Sequence, residues 1–256
     1  MEVSKCKLSV IVITLNEERN IAECLQSVQW ADEIILVDSE SSDNTVEIAK
    51  NYTSKIFIRK WDGYSSTKNF ALQQCKNDWI LWLDADERVT PELKQSIQQV
   101  VNEDGKNFDG YEVSRRAYFL KKWIRHCGWY PGYVVRFFRK NKAKFIAVRV
   151  HESIEIEGKI GKLKGNLIHY TDENIKQYFE KFNMYTSLAS VDLYENGKRF
   201  SIIDLTIRPL FMFFKMFFLR LGFLDGIHGF ILSVLSSAYV FVKYAKLWEI
   251  QSRDSK

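Results

Sequence analysis

The amino-acid sequence predicts an α/β fold, in which a mostly parallel sheet is flanked by helices and followed by a C-terminal helical appendage. Short, almost unbroken apolar runs alternate with segments in which apolar residues recur at helical spacing. That alternation is typical of parallel sheets that are covered by helices on both faces. The 256-residue chain, 46% apolar and 27% charged, is also long enough to bury a full core.

Four segments in the first half of the chain are expected to be strands of this sheet, the third of them a short one. They are residues 8–14, 33–37, 55–59 and 79–83. Between them lie segments with helical spacing that begin near Asn20, near Asp43 and at Ser65, so that strand and helix alternate throughout. Parallel strands joined in this way are connected by right-handed crossovers.

Polar side chains follow three of the four predicted strands. Asn16 and Glu17 follow the first strand, Asp38 follows the second, and Asp84 and Asp86 follow the fourth. In open α/β sheets the ligand binds beyond the carboxyl ends of the strands, so we expect these side chains to surround one site. The chain has neither a glycine-rich dinucleotide motif nor a P-loop lysine motif, which argues against nicotinamide-dependent oxidoreductases and P-loop enzymes.

The most informative stretch is Trp79-Ile-Leu-Trp-Leu-Asp84-Ala-Asp86-Glu87, in which an apolar strand leads directly into three carboxylates. If the chain stays extended there, Asp84 and Asp86 point to the same side, because side chains repeat every two residues along a strand. Two such carboxylates could bind Mg²⁺ or Mn²⁺ together with phosphate oxygens. The alternative is a solvated loop that caps the helix beginning near Pro91.

Four motifs in the first 90 residues are shared with a known family. They are Ser9-Val-Ile-Val-Ile-Thr14-Leu-Asn16-Glu17, Val37-Asp38-Ser-x-Ser-x-Asp43-x-Thr45, Lys68-Asn69-x-Ala71 and Asp84-Ala-Asp86-Glu87. With them the chain resembles the family 2 glycosyltransferases of the GT-A fold, and among these the lipopolysaccharide inner-core β-1,4-glucosyltransferases. The resemblance implies that the donor is a nucleotide-sugar, with UDP-glucose as the expected one.

The resemblance also implies roles for single residues. It assigns four of them to the base and ribose pocket of the donor: Thr14, Asn16, Glu17 and Asp38. Lys68 would lie near the nucleotide or its phosphates, Asp84 near the ribose or the metal, and Asp86 would bind the divalent cation, Mg²⁺ or Mn²⁺. Lys68 considered without the motif would instead be a solvated charge on a helix.

A further acidic candidate, Glu152, lies within residues 148–156, where apolar residues alternate with polar ones. On an extended strand its carboxylate would share a face with apolar neighbours, which would raise its pKa towards that of a useful base. The resembling family has a similar Val-His-Glu here, which implies that Glu152 is the catalytic base. The alternatives are a bulge that turns Glu152 to solvent, or a structural ion pair with an arginine such as Arg136. His151 or His169 could be an additional metal ligand, with a structural role as the default.

The composition changes after residue 197. We expect residues 1–197 to form the catalytic domain, with a donor half of about 1–104 and an acceptor half of about 105–197. Residues 198–256 contain nine Lys and Arg against four Asp and Glu, which accounts for the whole net charge of +5. Six Phe lie among basic residues in 205–224, a pattern typical of helices in the membrane interface. A dimer interface and a single membrane span are the alternatives, and the confined charge argues against nucleic-acid binding.

Together these observations predict an inverting, metal-dependent glycosyltransferase that moves one sugar to a lipid-linked saccharide such as the lipopolysaccharide core. No signal peptide is expected before the first strand, and four scattered cysteines without a CxxC motif suit a reducing compartment. We therefore expect a peripheral enzyme on the cytoplasmic face of the inner membrane. Two alternatives remain open: a polyprenyl-phosphate sugar synthase, which needs no general base, and a catalytically silent nucleotide-sugar-binding scaffold at the membrane.

Overall fold

The structure, a computed structural model, describes residues 7–105, 107–146 and 153–254. Its strands are β1 (Leu8–Thr14), β2 (Glu33–Asp38), β3 (Ile56–Ile58), β4 (Trp79–Asp84), β5 (Glu87–Val89), β6 (Gly110–Phe119), β7 (Lys122–Trp123), β8 (Gly132–Arg139), β9 (Ala143–Ile146), β10 (Ser153–Ile156) and β11 (Ile160–Asp172). Its helices are α1 (Ile21–Gln26), α2 (Thr45–Ala49), α3 (Tyr64–Gln74), α4 (Pro91–Asn102), α5 (Ile175–Glu195), α6 (Ile202–Phe214) and α7 (Ile227–Asp254).

The chain divides into two compact units. Of the described residues, 7–115, 133–146 and 153–169 belong to the first unit, and 116–132 and 170–254 belong to the second. The helix α5 is therefore grouped with α6 and α7 rather than with the strands. The division at residue 197 that the composition suggested stays a prediction.

The first unit is built on a mixed sheet with the strand order β3-β2-β1-β4-β8-β6-β11-β5. Neighbouring strands are parallel from β3 to β4, whereas β8 runs antiparallel to β4, and β5 runs antiparallel to β11. This arrangement confirms the predicted α/β fold. The four predicted strands end within one residue of the observed ones. For β1, β2 and β4 the reason is that apolar runs mark strands that are covered on both faces.

Both faces of the central strands are packed. On one face Val10 and Leu81 lie in a core with Leu93 of α4, and on the other face Ile11 packs with Ala71 of α3. All five side chains are fully buried. Because helices cover both faces, the sheet edge at the carboxyl ends of these strands is where functional side chains can reach solvent.

A close approach between β11 and the start of α4 fixes the position of β11. Thr90 caps α4 by accepting a hydrogen bond from the Leu93 N–H at 3.4 Å. Gly165 of β11 has φ +90°, and a Cβ atom there would lie 2.3 Å from the Leu93 nitrogen, so only glycine permits this approach. The packing holds β11 beside β5 and thereby positions His169, which pairs with β5.

The second unit is formed mainly by three helices. One of its buried clusters joins α5, α6 and α7 and contains Leu193, Leu205, Met212, Val240, Tyr244 and Leu247. A second cluster joins the segment around Cys127 to Met216 and Leu232. Between α6 and α7 the chain forms a π-helical turn at Lys215–Leu219 and a 3-10 turn at Gly222–Asp225.

Candidate active site

The turns after β1 and β2 lie side by side and are tied together. Thr14 and Asp38 are paired in the register of the two parallel strands. Asn16 turns the chain with φ +54°, a value that asparagine tolerates better than most residues. Its N–H donates to Ser41 Oγ at 2.8 Å, and its Oδ1 accepts from the Ser42 N–H at 2.8 Å. The two turns therefore form one rigid rim.

Three of the predicted donor-pocket residues are held within this rim. Asp38 is fully buried and accepts two hydrogen bonds from Ser41, from its N–H at 2.8 Å and from its Oγ at 2.5 Å. The Glu17 carboxylate accepts from Asn20 Nδ2 at 2.7 Å. Thr14 is 3% exposed, and its hydroxyl has no hydrogen-bond partner among the described residues. A buried hydroxyl of this kind at a strand end is available to a ligand.

The loop after β4 is organised by a buried arginine. The chain turns at Ala85 and Asp86 instead of remaining extended, so the alternation expected for Asp84 and Asp86 does not apply. Arg136 of β8 donates from one Nη atom to Asp84 Oδ2 at 2.7 Å and to Glu87 Oε1 at 2.8 Å. Glu87 is fully buried and Arg136 is 3% exposed, so this pair is desolvated, whereas the side chain of Asp84, the third member of the ion triad, is 41% exposed.

The triad keeps Asp84 in its ionised form. Burial opposes the ionisation of this carboxyl group, but the positive charge of Arg136, followed by that of Lys68, outweighs the effect and lowers its pKa. The Glu87 Oε2 atom accepts a hydrogen bond from the Asp84 N–H at 3.1 Å, which fixes the start of the loop. The ion pair of Arg136 with Glu152, which the sequence offered as an alternative, lies outside the described residues. The described carboxylate partners of Arg136 are Asp84 and Glu87.

An indole ring lies beneath two cations of the site. The Nζ atom of Lys68 is 3.8 Å from the centroid of the Trp82 ring, and Cζ of Arg136 is 3.3 Å from it. Lys68 is only 3% exposed, so it is not the solvated helix charge that its position on α3 alone would suggest. Desolvated cation–π contacts of this kind are worth about 2 kcal/mol. Trp82 thus holds positive charge close to Asp84.

Asp86 faces a histidine rather than an arginine. Its Oδ2 atom is 3.4 Å from Nε2 of His169, and both side chains are mostly buried. Burial opposes protonation of His169, but Asp86 outweighs this effect and raises the pKa of the imidazole. The other carboxylate oxygen, Asp86 Oδ1, is buried and has no hydrogen-bond donor among the described residues. A carboxylate oxygen in this state fits the ligand set of a divalent cation.

Arg115 is a cation of the site that the sequence did not reveal. It lies on β6 and forms no hydrogen bond or ion pair with a described residue. Burial, and then the neighbouring Arg136, lower the pKa of its guanidinium, while the three carboxylates at positions 84, 86 and 87 oppose the shift. No local pattern marks a residue in the middle of a strand whose partners lie on β4, β5 and β8. The β4 alternation, by contrast, does place Trp82 on the side of Asp84.

The predicted residues are therefore only partly accounted for. The structure brings Lys68, Asp84 and Asp86 together around Arg136, and it joins Thr14, Asn16, Glu17 and Asp38 in the adjacent rim. Glu152 and His151, the predicted base and its neighbour, lie outside the described residues. Their roles stay predictions.

Comparison with known proteins identifies relatives over most of the chain. Residues 9–152 match the profile of Glycosyl transferase family 2. An uncharacterized glycosyltransferase of Rickettsia typhi is 36% identical over 265 aligned residues, which cover 97% of this chain and 89% of the relative. The lipopolysaccharide core biosynthesis glycosyltransferase LpsC of Rhizobium meliloti is 29% identical, covering 96% and 94%. The crystal structure of S. aureus TarS 1-349 in complex with UDP-GlcNAc aligns with a TM-score of 0.47 and 17% identity, covering 98% and 92%.

Proposed function

The chain belongs to glycosyl transferase family 2, and we propose that it transfers a single sugar, with inversion, from a nucleoside diphosphate donor to a lipid-linked saccharide. The expected donor is UDP-glucose, and the expected acceptor is a lipopolysaccharide core. Similarity to LpsC supports this class of acceptor. The observation that carries the proposal is the cluster of Lys68, Asp84, Asp86 and Arg136 at the carboxyl ends of the parallel strands, where such sheets bind ligands.

The base and ribose of the donor are proposed to lie against the rim formed after β1 and β2. The Thr14 hydroxyl is buried without a described partner, so a base or ribose group can satisfy it. Asp38 can accept further hydrogen bonds beside those from Ser41, because each carboxylate oxygen has two lone pairs. Asn16 and Glu17 border the same rim, and the hydrogen bonds within it keep the pocket formed before the donor arrives.

Asp86, together with His169, is proposed to hold the divalent cation, Mg²⁺ or Mn²⁺. The residues fit, because Asp86 Oδ1 is a buried oxygen that no described donor satisfies. No group of three or more potential ligands occurs in the described ranges, so this part of the protein would supply few contacts to the cation. Mg²⁺ sites are commonly completed by substrate phosphates and water. When bound, the cation would neutralise the charge of the departing diphosphate.

The residues of the chain itself would bind and orient the substrates and would move one proton. Lys68 and Arg115 supply positive charge for the diphosphate, and Trp82 together with Arg136 keeps Lys68 and Asp84 in place. Glu152 is proposed to accept the proton of the acceptor hydroxyl on a carboxylate oxygen. The hydroxyl oxygen then attacks the anomeric carbon from the face opposite the leaving group, and this single displacement inverts its configuration.

The second unit is proposed to bring the enzyme to the cytoplasmic face of the inner membrane. Apolar side chains recur along one side of α6 and are unusually exposed: Ile203 by 55%, Ile207 by 58%, Leu210 by 68% and Phe211 by 56%. Apolar stripes with nearby basic residues are typical of interfacial helices. In the described part of the chain α7 is the one helix long and apolar enough to cross a membrane by length and composition. Peripheral attachment remains the proposal.

The proposal is tested by a donor screen. The purified chain is incubated with Mn²⁺, an acceptor glycolipid fraction and a panel of nucleotide-sugars, and the released nucleoside diphosphate is measured. We expect release from one UDP-sugar. We also expect that EDTA or Asp86→Ala abolishes it while the variant remains folded. The matched control is Glu47→Ala, which removes an exposed carboxylate of α2. No release from any donor would favour a nucleotide-sugar-binding scaffold, and undiminished release from Asp86→Ala would refute the metal site.

The base is tested separately with Glu152→Gln, which retains the shape of the side chain and removes its basicity. We expect turnover to fall roughly 10²–10⁴-fold, the usual contribution of general acid–base catalysis, while donor affinity is retained. Normal turnover with a polyprenyl phosphate as acceptor would instead favour a polyprenyl-phosphate sugar synthase, because a phosphate oxygen needs no base to attack.

A further inference from the structure

The second unit contains a cavity that the proposed function does not use. Its volume is about 460 Å³, within the range of small-molecule sites. It is lined by the segment around Trp129, by α5, by the end of α6 with its π-helical turn, and by α7. The cavity therefore belongs wholly to the second unit.

Of the described residues that line this cavity, none is acidic and three are cations, namely Lys215, Arg220 and Lys243. None of the three forms an ion pair with any residue in the described ranges. The neighbouring carboxylate of Asp204 is already engaged, at 2.5 Å from Arg208 and at 3.3 Å from Lys198. Like charges gathered around a cavity without a counter-charge repel one another, and a bound anion would relieve that repulsion.

The π-helical turn explains why two of these cations, five residues apart in sequence, line the same cavity. The Arg220 N–H donates to the Lys215 carbonyl at 2.8 Å, a bond that spans five residues instead of the four of an α-helix. In a regular α-helix, residues five apart lie on different faces. The wider turn lets Lys215 and Arg220 line one cavity. The Arg220 side chain also packs at Gly128, where an added Cβ would lie 3.7 Å from it.

The third cation is partly buried. Burial, and then the nearby Arg208, lower the pKa of the Lys243 ammonium. Its Nζ atom lies 4.8 Å from the centroid of the Tyr244 ring, which offers only partial compensation for lost solvation. An anion in the cavity would supply the missing compensation.

The remaining walls of the cavity are apolar or aromatic. Met212 and Met216 of α6 and the π-helical turn line the cavity together with Trp129 and Val240. Methionine side chains adapt to irregular apolar ligands. The tyrosines Tyr178 and Tyr239 also contribute to the walls. A fully hydrophilic anion would leave these apolar walls without a partner, whereas an anion carried on a hydrocarbon chain would cover them.

We propose that this cavity binds the phosphate group of an anionic amphiphile, with Lys215, Arg220 and Lys243 around the phosphate and Met212 and Met216 against its apolar part. A phosphate carried on a lipid fits because the same unit exposes large apolar side chains, among them Phe214 by 48% and Phe218 by 47%. The inference goes beyond sugar transfer, and it would hold whichever sugar the first unit transfers.

The test is isothermal titration of the full-length chain with dodecyl phosphate, below the concentration at which it forms micelles. Laurate and inorganic phosphate are titrated in parallel, because laurate has a chain of similar length with a carboxylate and phosphate has no chain. We expect one dodecyl phosphate per protein, bound at least about tenfold more tightly than either of the others. Equal binding of laurate, equal binding of inorganic phosphate, or no binding of dodecyl phosphate would overturn the proposal.

The residues are tested with Lys215→Gln and Arg220→Gln, both of which alter exposed side chains. Each should weaken dodecyl phosphate binding by roughly tenfold, the usual value of one charged hydrogen bond. Lys215→Arg should restore binding. The matched control is Lys176→Gln on α5, which removes an exposed cation away from the cavity lining and should leave binding unchanged. Unchanged binding in both neutralised variants would overturn the assignment.

Discussion

The charged cluster around Arg136 in the first unit and the cations of the cavity in the second unit differ in both burial and pairing. In the first unit Arg136 is 3% exposed and lies between two carboxylates, and the buried carboxylate of Glu33 has its own lysine partner. In the second unit Lys215 and Arg220 are exposed and form no ion pair with described residues, beside large apolar side chains that are also exposed. Paired, buried charges position a site and are costly to break, whereas unpaired charges beside apolar surface are available to another molecule.

The largest expected effect comes from breaking the buried triad. Arg136→Ala leaves the fully buried Glu87 without its cation and should lower the free energy of unfolding by about 3–5 kcal/mol. Urea denaturation monitored by circular dichroism measures it. The contrasting double variant Lys215→Gln/Arg220→Gln should stay within about 0.5 kcal/mol of the unaltered protein. A comparable loss in the double variant would show that the second unit also depends on its cations.

A second experiment tests whether the exposed apolar side chains of the second unit attach the protein to membranes. Removal of residues after 197 would expose Leu193, which packs against α7, so surface substitutions are the cleaner change. Phe211→Ser/Phe214→Ser/Phe218→Ser should lower partitioning onto anionic vesicles roughly tenfold to hundredfold, since each ring inserts apolar area. Vesicle sedimentation measures the partition coefficient.

The control for this experiment is Ile58→Ser, which removes an apolar side chain of the first unit that is 62% exposed and should change nothing. A full-length chain that ignores vesicles but forms a dimer, which the triple variant dissolves, would identify the exposed face as a protein interface.

A smaller effect is expected for the pH dependence of the stability of the first unit, which should decrease as the pH falls. Burial opposes the ionisation of Glu33, but hydrogen bonds from Lys55, from the Lys76 N–H at 2.9 Å and from Ser9 Oγ at 2.5 Å lower its pKa below 4.5. Its stabilisation is therefore complete above pH 4.5 and is lost as the pH falls through the folded-state pKa.

Glu33→Gln should consequently cost about 1–3 kcal/mol at pH 7. The difference from the unaltered protein should shrink below pH 4.5, which urea midpoints at a series of pH values will show. Glu47→Gln, at an exposed carboxylate, is the control. A difference that is constant down to pH 3 would mean that the charge of Glu33 is irrelevant.

The smallest expected effect is a difference in the rate at which buried cysteines of the two units are alkylated. Burial raises the pKa of Cys75 to about 12 and also raises the pKa of Cys24 and of Cys127. Since the thiolate is the reactive form, iodoacetamide at pH 8 should modify none of them quickly in a Cys6→Ser background. Cys127 lines the cavity and should react before the other two, as mass spectrometry of timed samples would show. Faster modification of Cys24 would reverse this order.

The local sequence pattern was sufficient to predict where the parallel strands lie, but it was insufficient to predict which side chains contact one another in the candidate site. Apolar runs located β1, β2 and β4, whose side chains are almost all buried, whereas β3 is short and its Ile58 is 62% exposed. The bonds of Arg136 to Asp84 and Glu87 bridge 52 and 49 residues, and no spacing rule connects such distant positions. Asp84 and Asp86 lie at the carboxyl end of β4, where the sequence predicts them, but their separate partners depend on the turn at Ala85 and Asp86.

The second unit shows the same limit. Its Phe-rich composition indicated apolar exposure, which the structure has at Leu210 and Phe211. The grouping of α5 with α6 and α7 could not be predicted, because the helical spacing of α5 shows which side is apolar and not what covers it. The periodicity of the sequence does not predict the π-helical turn at Lys215 either, since this turn depends on how the end of α6 packs against the segment around Cys127.

The sequence separation of the buried triad has a consequence for how the protein is made. During synthesis β4 and its carboxylates leave the ribosome some fifty residues before Arg136, which forms its bonds to positions 84 and 87 across 52 and 49 residues. Until then Glu87 must remain hydrated, because a buried carboxylate without its cation is costly. The parallel strands can collapse first, but the sheet closes around its acidic loop only when β8 docks. The order of folding is therefore set by electrostatics as well as by chain connectivity.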